Sequence, residues 1–218
     1  MKAESSLKAQ NIKWLVMLAA LDVLIVLVFV FPEVIENGEI KRLAVVRGLI
    51  TSVLPVVVLL LAGMLSHDIK AQLVFWRIKN PLPGAEAFTR YAPTDVRIDM
   101  AALKKNVGEL PTDPSEQNKK WFKLYRMVEK DGAVTEAHKM YLLCRDMAAM
   151  SIPLIVLVPV GLHFVGVTSL ALCVTAGMFV IQYFVARVNA RNSGIRFVCN
   201  VLAIHSTKKM ANAKAVVA

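Results

Sequence analysis

Charge is scarce in this chain. Only 19% of its 218 residues are Asp, Glu, Lys or Arg and 7% are aromatic, while 56% are apolar. Globular domains carry about 25% charged residues on average, so a soluble enzyme built around one large water-facing core is ruled out. Cysteine is scarce as well. Cys144, Cys173 and Cys199 lie far apart with no CxxC pair, which leaves a disulfide framework or zinc cluster without support. The four histidines, His67, His138, His163 and His205, show no HExxH or Cys/His metal spacing. No GxGxxG, Walker lysine loop or GxSxG occurs. The sequence thus predicts no metal, no cofactor and no catalytic residue, and the protein is read as not an enzyme.

What the chain has instead is long apolar blocks. A membrane-crossing helix needs about 20 apolar residues. Four segments qualify: 14–31, 48–65, 147–164 and 167–188. The last two share one stretch too long for a single crossing, and Gly161, Gly166, Thr168 and Ser169 mark a tight reversal between them. The first block follows Lys2, Lys8 and Lys13 as a signal peptide would. Its apolar run is longer than the usual 7–15 residues of such a peptide, however, and Phe31-Pro32-Glu33 offers no small-residue cleavage site. The expected fold class is therefore an all-α integral membrane protein, with four transmembrane helices in a 2+2 arrangement around a cytosolic helical insert.

Orientation follows from Lys and Arg near the helix ends. The N-terminal tail, 1–13, holds three lysines, the segment 66–146 fourteen basic residues, and the chain beyond Val185 six with no acid. The loop between the first two spans holds Glu33, Glu36 and Glu39 before Lys41 and Arg42, and Arg47 falls near the outer boundary. This pattern predicts a bacterial inner-membrane protein with both termini and the insert in the cytoplasm.

Eleven acids offset the basic residues of 66–146 to a net +3, a mixed surface rather than a polycationic arm. Ala71–Lys79 is expected to extend the second span inward until Asn80-Pro81-Leu82-Pro83-Gly84 stops it. Ile98–Val107 suits a short helix ended by Gly108. Asp113-Pro114-Ser115-Glu116 reads as an N-cap, a first-turn proline and a capping box for a helix running to about Lys130. Trp121, Leu124, Tyr125 and Val128 share one face of it. A further helix from Ala133 is expected to run into the third span. The tail 189–218 is expected to hold a short separate helix, folded back on the insert or lying at the membrane surface, and disordered last residues.

Within the membrane, Asp22 stands about 14 Å up its helix from Lys13. A carboxyl at that depth normally faces the bundle interior or water. It reads either as interhelical glue, bonded to Thr51, Ser52 or Thr175, or as part of an ion path, and the first reading carries more weight. Ser169, Cys173 and Gly177 recur every four residues, a spacing that lets helix backbones approach within a bundle or between protomers. Pro153 and Pro159 predict kinks in the third span. The basic clusters Lys119-Lys120-Lys123-Arg126 and Arg187-Arg191, with Lys104-Lys105 and Arg196, fit the positive-inside bias and anionic lipid. Trp121, Phe122 and Tyr125 interleave with the first cluster. That is compatible with stacking a nucleotide or nucleic acid, though a hydrophobic core explains them better.

Three stretches carry a resemblance. They are Phe75-Trp76-Arg77-Ile78-Lys79-Asn80-Pro81-Leu82-Pro83-Gly84-Ala85-Glu86-Ala87-Phe88, then Leu110-Pro111-Thr112-Asp113 with Glu116-Gln117-Asn118 and Trp121, then Gly194-Ile195-Arg196-Phe197-Val198. With them the chain resembles an uncharacterised family of small bacterial four-span inner-membrane proteins with a cytosolic insert. The layout is also similar to the membrane subunit of Kiwa-type antiphage defence systems, which works with a soluble partner. The resemblance assigns no catalytic or binding residue. It implies a membrane-embedded binding and assembly subunit of a defence or stress system. The expected partners are membrane lipid, further copies of the chain (a dimer or tetramer) and a soluble cytosolic protein. The alternative is an oligomeric channel or membrane-permeabilising effector gated by a ligand of the insert.

Overall fold

A computed structural model describes residues 7–30, 57, 60, 63–164 and 166–207. The segment 48–65 expected as the second span lies almost wholly outside the described residues, with Arg47, Thr51 and Ser52 and the tail beyond Thr207. Among the described residues the protein is all-helical, with no strand. Three helices are long and apolar enough to cross a membrane. These are α1 (Leu7–Val30) and two later ones, α5 (Gly132–Phe164) and α6 (Ser169–Thr207). Between them lie α2 (His67–Phe75), α3 (Met100–Val107) and α4 (Pro114–Val128). The chain divides into two compact units. The first comprises residues 1–74 and 142–190, and the second residues 75–141 and 191–218.

The first unit is held by apolar faces at helical spacing. Leu15, Ala19 and Val26 of α1 pack with Met150, Leu154, Val158 and Leu162 of α5 and with Phe179 of α6. The helix α5 runs through Pro153 and Pro159, although each proline removes a backbone donor. The expected reversal is a Schellman turn. Gly166 takes φ +76°, its N–H bonds His163 O at 3.0 Å, and Val167 N–H bonds Leu162 O at 3.2 Å. Only glycine adopts that left-handed position without strain.

Local signals in the second unit largely match the structure. Asp113 Oδ1 accepts from Ser115 N and Glu116 N, both at 3.0 Å, so it caps α4 with Pro114 in the first turn. Glu116 turns its carboxylate to Lys119 at 2.7 Å. Asp99 caps α3 through Ala101 N and Ala102 N, and Gly108 at φ +80° ends it. The core is one cluster. Trp121, Leu124 and Val128 of α4 meet Leu103 of α3, Val134 and Ala137 of α5, and Phe197, Val198, Val201 and Leu202 of α6.

Two local expectations differ from the structure. The segment 71–79 is no inward continuation of a span. It belongs to a separate helix that Ser66 starts, its Oγ accepting from Ile69 N at 3.3 Å. That helix stops at Phe75 because Trp76 takes φ +55°. The chain after Arg187 forms no separate short helix either. Instead α6 continues unbroken to Thr207, a length of about 58 Å at 1.5 Å per residue. Its last turns are buried in the core of the second unit.

Candidate functional site

The motifs that carry the resemblance converge inside the second unit, and the reason is steric. A Cβ on Gly84 would lie 2.6 Å from Trp121 Cε3 and 2.5 Å from Asn118 Oδ1. The turn Pro83–Glu86 therefore sits directly on α4. A π-helical turn follows at Ala87–Tyr91, and the side chain of Gln117, 1% exposed, satisfies its free backbone donors. Gln117 Oε1 accepts from Phe88 N at 3.0 Å and Thr89 N at 3.2 Å, while its Nε2 donates to Thr112 O at 2.8 Å. One amide thus ties three chain segments together. Gly194 plays the same spatial role on α6, where a Cβ would meet Tyr141 at 3.0 Å and Phe75 at 3.1 Å. Phe197 stacks on His138 with ring centroids 4.4 Å apart and meets Trp121 edge-on at 5.0 Å. Trp121 and Phe197 are core, and Tyr125 packs against the same cluster. All three motifs build this clasp.

The clasp leaves a groove on its surface. The loop Glu109-Leu110-Pro111-Thr112 forms one wall and Glu116, Lys119, Lys120 and Lys123 of α4 the other. Lys119 pairs with Glu116, and Lys120 donates to the carbonyl of Glu109. Three ammonium groups therefore stand in one open concavity beside two carboxylates. Such a surface suits recognition of a larger anionic group and offers no nucleophile or general base. Arg126 lies apart from it. It lines a neighbouring depression with Met127, Lys130 and Ile204 and pairs with Glu129 at 2.7 Å. Arg187 and Arg191 lie on α6 and line neither.

The intramembrane polar site has a partner that sequence reasoning missed. Asp22 is 1% exposed, and Gln182 Nε2 lies 3.3 Å from both Asp22 Oδ2 and Ser151 Oγ. Helices α1, α5 and α6 meet at these three side chains. Thr175 is not the expected partner, since its hydroxyl donates to Ala171 O at 2.6 Å within its own helix. Such back-bonding satisfies a buried hydroxyl locally. Asp22 Oδ1 is buried and has no hydrogen-bond partner among the described residues. Of the small-residue stripe, Ser169 and Cys173 are exposed, and a Cβ on Gly177 would meet nothing within 4 Å.

Comparison with known protein families, curated proteins and solved structures gives no match.

A third polar cluster, also absent from the sequence reading, lies in the first unit. Lys70 Nζ and Arg145 Nη2 each donate to Asp146 Oδ1 at 3.0 Å, and Arg145 Nη1 lies 2.9 Å from His67 Nδ1. Lys70, Arg145 and Asp146 are all buried. A carboxylate shared by two cations pins α2 to α5. It is structural chemistry, because charges so enclosed present no face to a ligand. Among the described residues no group of three His, Cys, Asp or Glu could hold a metal.

Proposed function

We propose that this protein is a membrane-embedded binding and assembly subunit of a bacterial defence or stress system, whose insert engages a soluble cytosolic protein. The observation that carries the reading is the lysine groove, with Lys119, Lys120 and Lys123 facing the 109–112 loop on a tightly clasped helical module. Rigid helices hold a recognition surface more precisely than loops do, and the groove holds cations without catalytic groups. The placement of Lys and Arg supports four spans in the inner membrane with both termini in the cytoplasm. The open stripe at Ser169, Cys173 and Gly177 supports self-association as a dimer or tetramer, an arrangement that closes by symmetry. The layout shared with Kiwa-type membrane subunits supports a role in antiphage defence. The test is capture of the detergent-solubilised protein with native mass measurement, which reports partner and stoichiometry together. A monomer that captures nothing contradicts the proposal.

One observation favours the conducting alternative, an oligomeric channel or permeabilising effector. The orphaned Oδ1 of Asp22 is a buried acceptor available to a proton or cation. Planar-bilayer recording with the purified protein separates the two readings.

A further inference from the structure

The link from α2 into the second unit exposes apolar side chains that its own packing leaves out. Trp76 is 60% exposed and Ile78 87%. Between them Arg77 is fixed inward, donating to Glu86 and to Tyr91 Oη at 3.4 Å and lying over the Phe75 ring. With Arg77 held in this way, Trp76 and Ile78 stay on the outer side of the link. Left-handed backbone brackets the segment, at φ +55° for Trp76 and +49° for Asn80. A bulky residue adopts that region only where the surroundings impose it. Lys79 beside them is exposed.

The chain itself fixes how deep this link starts. Tyr183 Oη donates to Leu73 O at 2.8 Å. Tyr183 precedes Arg187, the first charged residue after the apolar run of α6, by four residues, which is about 6 Å along the helix. Trp76 follows Leu73 by three residues and so lies within about 11 Å of it. The headgroup zone adds roughly 5–8 Å to each side of the hydrocarbon core. Tryptophan with neighbouring lysine is the pair that settles in that zone.

We infer that Trp76 and Ile78 form an interfacial anchor, seated in the headgroup region of the same bilayer that α1, α5 and α6 cross, with Lys79 directed to anionic lipid. The anchor stands apart from the lysine groove and holds whether or not that groove binds a partner.

The experiment places a nitroxide label at Ile78→Cys in a Cys173→Ser background, since Cys144 and Cys199 are buried. The full-length protein is reconstituted in nanodiscs of phosphatidylglycerol and phosphatidylethanolamine. Power saturation then compares access of oxygen, which enriches in lipid, with access of a water-soluble nickel chelate. The expected result is a shift toward oxygen, with a depth at the headgroup level. Equal access to both reagents, as for a label in water, overturns the inference. Exclusion of both overturns it too, because protein then covers the site. Because Ile78 is so exposed, the cysteine variant is expected to fold as the wild type does.

Discussion

Gly84 and Trp121 touch so closely that the smallest possible side chain at position 84 would overlap the indole, with Cβ to Cε3 at 2.6 Å. Asn118 Oδ1 on the same face could swing away, whereas the ring is enclosed by Tyr125 and Phe197. Gly84→Ala should therefore force the 83–91 turns off α4 and cost about 1–3 kcal/mol, the usual range for overpacking. Thermal unfolding of the full-length protein in detergent measures it. An unchanged midpoint contradicts the clasp.

Asp146 should be the most sensitive position of the first unit. Asp146→Asn removes the one full charge that Lys70 and Arg145 share. Breaking a buried pair on one side costs about 3–5 kcal/mol. The expected outcome is loss of folded protein in detergent extracts, partly restored when Lys70→Met is combined with Asp146→Leu. No rescue in the double variant would show that the pair does more than hold α2 in place.

Asp22 distinguishes the two functional readings. As glue, Asp22→Asn keeps a hydrogen bond to Gln182, so assembly and function both survive. Asp22→Leu then costs roughly 0.6–2 kcal/mol, the range for side-chain hydrogen bonds in membranes. An Asn variant that assembles normally yet loses function contradicts the glue reading and supports the conducting one.

Acid should weaken the second unit through Asp95. Hydrogen bonds from the Arg97 guanidinium hold its carboxyl down at about 2, against the opposing effect of burial. A carboxyl lowered on folding stabilises the fold above its unfolded value of about 3.9. That stabilisation is lost as pH falls from about 4 through 2. The wild type should lose more unfolding midpoint across that window than Asp95→Asn, and equal losses would contradict the assignment.

Local chemistry was legible in the sequence, and pairing across the chain was not. Asp113 with Pro114, Gly108 and Gly166 act within a few residues, so their spacing alone gave a cap, a stop and a turn. Gln182 lies 160 positions from Asp22, and Lys70 lies 76 from Asp146. No periodicity reports such partners. Gly194 shows a subtler failure. It reads as a helix breaker near the start of a tail, yet it stays helical because Phe75 and Tyr141 occupy the space a side chain would fill. Gln117 looks like an ordinary polar residue of a surface helix. Only the π-helical turn opposite gives its amide three segments to join. Of the basic candidates, Lys119, Lys120 and Lys123 come together, while Arg126, Arg187 and Arg191 do not.

The central claim is that the lysine groove recruits a soluble partner to the membrane. Its most direct measurement is quantitative capture by the detergent-solubilised protein carrying Lys119→Glu, Lys120→Glu and Lys123→Glu, alongside the wild type and Arg126→Glu. The account predicts that the triple variant keeps its native mass and unfolding midpoint but loses the captured partner, whereas Arg126→Glu retains it. Equal capture by the triple variant and the wild type would contradict the account.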